Sequence, residues 1–408
     1  MPASASAAAP RLIGARFARS IGQGALVVGF TLYLHALGWN AARIGAVLSG
    51  ALLVAVLLTL LIGPASDRLG RRRFLLGYEC LVLLSSLMAL LSAQPWVLTA
   101  GALLGGFGRG ANGAAGPFGP LEQAWLAQDL EPSQRAHVFS LNAAVGFSGM
   151  ALGALLAALP ALWRHALPGA LALRPLFALP LLGALASLWL LWSAPDAPPR
   201  HAAAAASQAA PEPDGEPTRH EQNRLLLRLA FANSLNGLGI GLVAPWMAYW
   251  YALRFGHGPG SIGPALAASF VFAALGSQLA RHLSQRVGLV DAVVYMRVAG
   301  LVLLLLTPWS PWFWLAASAW ALRSAFNRGT AGVRQALVVG LTDARRRGFA
   351  ASVNNVSMMV PRAIGPILSG LLLARGWLVA PFVLAAVFQG AYLLAYRRFF
   401  GDLSAAAA

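Results

Sequence analysis

The sequence predicts an all-α integral membrane protein, with twelve transmembrane helices arranged as two pseudo-symmetric six-helix bundles. Three observations carry that expectation. Only 11% of the 408 residues are Asp, Glu, Lys or Arg, against about a quarter in water-soluble chains. Apolar residues make up 58%, and their runs repeatedly reach the ~20 residues that a hydrocarbon layer of ~30 Å demands of a helix. Landmarks of the first half also recur, in the same order, in the second.

Apolar stretches bounded by Arg, Pro or Gly give the spans in order. The first six, α1 to α6, are expected near 18–37, 44–62, 74–93, 97–120, 137–159 and 174–193. The second six, α7 to α12, are expected near 226–250, 261–280, 292–308, 312–334, 350–373 and 378–396. The chain thus divides into a disordered tail at 1–10, a first bundle at 11–193, a linker at 194–224, a second bundle at 225–399 and a tail at 400–408. The linker is rich in Ala, Pro and Glu, a composition that cannot bury a core. An even number of spans puts both termini on one side. Of the 30 Arg, 19 fall on that side, 5 on the other and 6 within spans, so the positive-inside bias makes the termini and the linker cytoplasmic.

The repeat is local but ordered. Gln123, Arg135, Ser140, Asn142 and Gly153 recur 212 positions later as Gln335, Arg347, Ser352, Asn354 and Gly365. Upstream, Ile44, Gly45, Arg68 and Gly70 recur 218 positions later as Ile262, Gly263, Arg286 and Gly288. Repeat units of six spans each imply parallel bundles with a site between them. Two positions change sign across the repeat: Glu79 pairs with Arg297, and Glu122 with Arg334.

Composition also excludes. A net charge of +17 in a soluble chain would suggest nucleic acid. In lipid it does not, and no nucleic-acid partner is expected. All basic residues are Arg and none is Lys, so a phosphate-binding loop of the G-x-x-x-x-G-K-[ST] type is impossible. Cys80 is the only cysteine, which rules out an intramolecular disulfide and any cysteine-based metal cluster within one chain. No cofactor, metal, catalytic residue or obligate protein partner is expected. The histidines are dispersed and the acids sparse, so an enzyme acting on a lipid-linked substrate, the main alternative, lacks convergent acid–base groups.

The loop after α2 carries Gly63, Asp67, Arg68, Gly70, Arg71 and Arg72 at the fixed positions of G-x-x-x-D-R-x-G-R-R. This resembles the signature of the major facilitator superfamily, and the resemblance runs from α1 to α12. It implies a multi-pass secondary transporter of a small organic solute, working by alternating access in a bacterial inner (plasma) membrane. Efflux is one candidate direction, and a proton one candidate coupling ion. It also implies a cytoplasmic gate in which Asp67 and its neighbouring guanidiniums latch the bundles, with Glu122 and Arg135 in the same network. A transporter-like sensor or passive facilitator is the remaining alternative.

In α4, Arg109, Asn112, Gly113 and Gly116 resemble the R-x-x-Q-G-x-G motif of the drug–proton antiporters in this superfamily, with Asn112 standing for Gln. An intramembrane Arg faces a partner or a wet cavity, because an unpaired charge in lipid is costly. Arg109, Arg323 and Arg362 are therefore expected near mid-depth and, with Asn112 and Gln23, are the candidate residues of a central cavity. Guanidiniums there would favour an anionic or polar neutral solute. Glu79 and Glu122 are expected near the cytoplasmic ends of their spans. Gly149 and Gly153 in α5 suit close helix packing. The antiporters' Gly-Pro pair is absent from α5 and appears instead as Gly365-Pro366 in α11.

Overall fold

A computed structural model describes residues 8–109, 119–128, 132–195, 219–334 and 347–405. Among them every regular element is helical, as backbone groups in lipid require. In the first half, α1 is Ala8–Ala36, α2 Ala41–Leu69, α3 Arg71–Leu91, α5 Pro132–Leu156 and α6 Ala178–Ser193. In the second half, α8 is Pro259–Val287, α9 Leu289–Trp309, α10 Phe313–Gly329, α11 Arg347–Ala374 and α12 Ala380–Ala405. Most of these extend beyond the expected spans, since apolar runs mark only the part of a helix that lipid covers. The largest extension is in α1, which begins at Ala8 and so takes in Arg11, Arg16 and Arg19. Those charges also explain why α1 escapes a hydropathy criterion that nine helices among the described residues meet.

Two spans are not single helices. α7 runs Arg219–Val243, tightens through Ala244–Trp246 at Pro245 and resumes as Met247–Phe255. α4 begins as Pro95–Ala100, widens into a π-helical turn at Gly101–Gly105 and then breaks, with a further segment at Gly119–Gln128. Gly106 and Gly108 take φ of 81° and 68°, a left-handed conformation that costs glycine little and other residues much. Between them Phe107 is buried against Phe30 and Phe177. The expectation of one continuous helix over 97–120 is corrected here, because hydropathy does not register backbone hand.

The twofold repeat appears in the packing. α1 lies against α5 and α7 against α11 through backbone-to-backbone contacts at glycine. A Cβ on Gly24 would strike the backbone of Met150, and one on the repeat-related Gly241 would strike that of Arg362. Gly153 meets the backbone of Ile21 and Ala25, and its counterpart Gly365 meets that of Gly241 and Leu242. Gly149 packs the same way on Phe17 and Ser20. Overpacking of an ordinary core costs about 1–3 kcal/mol, and here the obstacle is main chain that cannot repack. Gly153→Val and Gly365→Val are each expected to reduce monodisperse protein recovered from membranes several-fold, read by size-exclusion chromatography.

The halves meet at the end of the molecule away from the termini. There one hydrophobic core draws on both halves, from Phe30, Leu48 and Ala154 to Trp246, Ile262 and Phe382. Toward the termini the core divides, into a cluster around Leu12, Tyr78 and Trp125 and another around Leu229, Val293 and Tyr396. Between these two lies a cavity.

Candidate functional site

The cavity measures about 360 Å³ and is lined from both halves. The first half contributes Arg16 from α1, Glu122 and Gln123 from the second segment of α4, and Asn142 and Phe147 from α5. The second half contributes Ile240 from α7, Arg297 from α9, Trp320, Arg323, Asn327, Arg328 and Arg334 along α10 and its continuation, and Met358 and Arg362 from α11. Among the described residues, six guanidiniums thus line a space with a single carboxylate, that of Glu122. Because α10 runs toward the termini, the row from Trp320 to Arg334 extends from the floor toward the mouth. At ~1.5 Å per residue it covers roughly 21 Å.

The two walls treat their charges differently. On the first wall Glu122 is ion-paired with Arg19, lies 3.7 Å from Arg16 Nη1 and accepts from Asn142 Nδ2 at 3.0 Å. Behind it Arg19 Nη1 lies 3.1 Å from Glu79 Oε1. All four charged side chains are at most 7% exposed, and they balance. On the second wall Arg297 donates to Asn236 Oδ1 at 2.8 Å and Thr330 Oγ1 at 3.3 Å, and lies over the Tyr392 ring. Arg323 donates to Gln389 Oε1 at 3.3 Å, with its guanidinium 4.6 Å from the Trp320 ring centre. Arg328 lies over Phe270 at 5.3 Å. Each of Arg323, Arg328, Arg334 and Arg362 keeps a buried N–H without a hydrogen-bond partner among the described residues. Among the described residues no carboxylate lines this wall.

A family model described as Major Facilitator Superfamily matches residues 12–227 and 229–406. The chain belongs to that superfamily. Superfamily members in solved structures share its fold. A nucleoside transporter NupG variant superposes with a TM-score of 0.72 at 14% identity, over 96% of this chain and 99% of that one. A D-xylose–proton symporter gives 0.72 at 16%, over 96% and 97%. A bacterial homologue of the lysosomal transporter Spinster, inward-facing and unoccupied, gives 0.68 at 14%, over 98% and 99%. Among curated proteins, an uncharacterized membrane protein of Saccharomyces cerevisiae is 29% identical over 140 residues. That match takes in 34% of this chain and only 31% of the yeast protein. This chain is therefore a multi-pass membrane transporter of the superfamily and not an enzyme.

Of the expected cavity residues, Arg323 and Arg362 line the cavity and Arg109 does not. The Arg109 guanidinium donates to the carbonyls of Leu103 at 3.0 Å and Leu104 at 3.4 Å, and to Tyr78 Oη at 3.2 Å. The break in α4 leaves those carbonyls without their helical donors, and Arg109 takes the place of the missing N–H groups. Gln23 faces a separate void of about 20 Å³ beside Arg19 and Tyr78. Asn112 lies outside the described residues. Glu79 is deeper than expected: it stands mid-way along α3, which begins at Arg71, and is fully buried.

At the superfamily loop, Gly70 takes φ 93° and its N–H caps Ser66 O at 3.0 Å, as Gly288 with φ 84° caps Ser284 O at 3.1 Å in the second half. Arg71 donates to Ala124 O at 3.0 Å and Arg72 to Trp192 O, so both brace the first half internally. The side chains of Gly63's neighbour Pro64 and of Asp67, Arg68 and Arg135 lie outside the described residues, as does any latch they form. Pro366 sits within α11, where its carbonyl accepts from Trp246 Nε1 at 3.2 Å. Sequence reasoning missed Arg16, which precedes the expected span of α1, and Arg19, at its first turn. Arg328 and Arg334, further along α10 and its continuation, were not nominated for the cavity either.

Proposed function

We propose that this chain is a secondary transporter carrying a small organic anion or strongly polar neutral solute by alternating access, with both termini cytoplasmic. Transport is driven by a gradient of the solute or of a coupling ion, for which a proton is the candidate. One observation supports the substrate reading above others: among the described residues, six guanidiniums and one carboxylate line the space between the halves. A cation entering it would meet repulsion with Glu122 already engaged, whereas carboxylate or phosphate oxygens would find free guanidinium donors. The Arg bias toward the terminal side supports the orientation, and it keeps its sign although Arg16 and Arg19 are consumed in buried pairs.

Counterflow into proteoliposomes with matched anionic, neutral and cationic solutes tests the reading. Wild type is expected to favour the anion or the polar neutral solute over the cation. Arg323→Gln should lower anion transport at least ~10-fold, the scale of one lost charge-assisted hydrogen bond. Arg109→Gln should lower stability while leaving the order of solutes intact. Preferential cation transport, unchanged by Arg323→Gln, would remove the basis of the proposal.

A further inference from the structure

We infer that the transported solute carries at least two negative charges on oxygen, as a dicarboxylate or a phosphate monoester does, and that Arg323, Arg328 and Arg362 of the second half hold it. The inference rests on the anion reading above and narrows it.

The two halves keep the same polar framework and differ in whether it is neutralised. In the first half Arg19 meets Glu79, while Glu122 meets Arg16, Arg19 and Asn142. In the second half Arg297 occupies the repeat position of Glu79 and donates to Asn236, a neutral partner. Arg334 occupies that of Glu122, and Asn354, the counterpart of Asn142, accepts from Asn233 Nδ2 at 2.9 Å. The amide and hydroxyl oxygens on this side can accept N–H groups, but they neutralise nothing. Among the described residues, the positive charge of the second wall is therefore left for something else to balance.

Arg323, Arg328 and Arg362 are the members best placed to be balanced by a solute. Each lines the cavity, none is ion-paired among the described residues, and each keeps a desolvated N–H with no acceptor among them. Trp320 and Phe270 back the first two at 4.6 and 5.3 Å, which holds the guanidiniums in place without engaging their donors. Arg323 and Arg328 stand on α10 and Arg362 on α11, on the wall of one cavity. A monoanion would neutralise one guanidinium and leave its neighbours repelling. A dianion bridges two, each through a planar fork that takes paired oxygens. The cavity of about 360 Å³ is at the small end of the ~300–1,000 Å³ typical of small-molecule sites, which suits a short-chain solute.

The test measures thermal stabilisation of the full-length protein in detergent at pH 7 against a valence series. The probes are butyrate and succinate, glycerol and glycerol phosphate, and butyltrimethylammonium. Succinate or glycerol phosphate is expected to bind at least ~10-fold more tightly than its partner of lower charge, about the worth of one further charged hydrogen bond. Which of the two binds better distinguishes a dicarboxylate from a phosphate ester. Arg328→Gln and Arg362→Gln should each bring the succinate-to-butyrate ratio toward one, while Arg43→Gln, at the opposite end of the molecule, should leave it unchanged. Equal binding of butyrate and succinate, with no advantage for glycerol phosphate over glycerol, overturns the inference and leaves the anion reading standing if both acids outbind the ammonium. Stabilisation by the ammonium equal to that by the anions overturns the anion reading itself. The wild-type series decides the matter even if a variant fails to fold.

Discussion

Glu122→Gln is expected to lose most of both the folded yield and the transport, more than any other single change on the first wall. Glu122 is 2% exposed and answers two guanidiniums at once, Arg16 and Arg19. Removing its charge leaves those two facing Glu79 alone, with one positive charge buried and unmatched. Removing one partner of a buried ion pair costs about 3–5 kcal/mol, because the survivor keeps its desolvation penalty and loses its compensation. That is a large share of a typical stability margin of ~5–15 kcal/mol. The sign of the effect can be isolated by restoring neutrality. Arg16→Gln combined with Glu122→Gln leaves Arg19 and Glu79 as a balanced pair and should recover much of the lost thermal stability in detergent. If instead Glu122→Gln is as stable as wild type, or the double variant is worse than the single, the four charges do not act as a neutral buried unit. The residue would then be an ordinary neutraliser at the membrane edge.

The sequence revealed the architecture because lipid constrains it so strongly. Twelve apolar runs and a repeat aligned through Gly153 and Gly365 were enough to predict two related bundles, and those two glycines do make equivalent contacts in the two halves. What stayed hidden depended on partners far apart in the chain. Arg19 and Glu122 are 103 residues apart, and nothing local to either tells that they meet. Arg16 stands before the expected span of α1 and Arg19 at its first turn, and neither position signals a buried partner. The structure extends the helix beneath them and buries both. Arg109 shows the reverse error. Its depth was legible, but its orientation follows from the left-handed turns at Gly106 and Gly108, which expose carbonyls for it to bind. Arg323 and Arg362 were found because an apolar helix has few reasons to carry Arg except a partner or a cavity.

Glycines at the boundary between the halves should behave differently from those within each half, and this separates folding from the transport cycle. Gly153 and Gly365 bring together helices of the same half. Gly45 in α2 and Gly370 in α11 bring together the two halves, at the end away from the termini. A Cβ on Gly45 would lie 2.5 Å from Pro366 O, and one on Gly370 would lie 2.5 Å from Ala41 O. Nearby, Ile367 N donates to Ser49 Oγ at 2.9 Å, and His35 meets Tyr249 edge to face at 5.0 Å. These contacts exist only while that end is closed, so a side chain at Gly45, which would meet Pro366 O and the Trp246 ring across the boundary, penalises the closed state more than the packing within either half. A penalty of about 2–3 kcal/mol shifts a two-state population by roughly 30- to 150-fold. Gly45→Leu is therefore expected to remain monodisperse and abundant in the membrane, yet to lose transport by ~30-fold or more. The shift itself can be read in a Cys80→Ser background carrying Ser49→Cys. The introduced thiol is buried when the end is closed, since Ser49 is 5% exposed, and Gly45→Leu should raise its labelling by a membrane-impermeant maleimide at least ~10-fold. Normal transport with the thiol still protected would mean that the contact between α2 and α11 stays shut throughout the cycle. Alternating access would then require a different pair of surfaces to part.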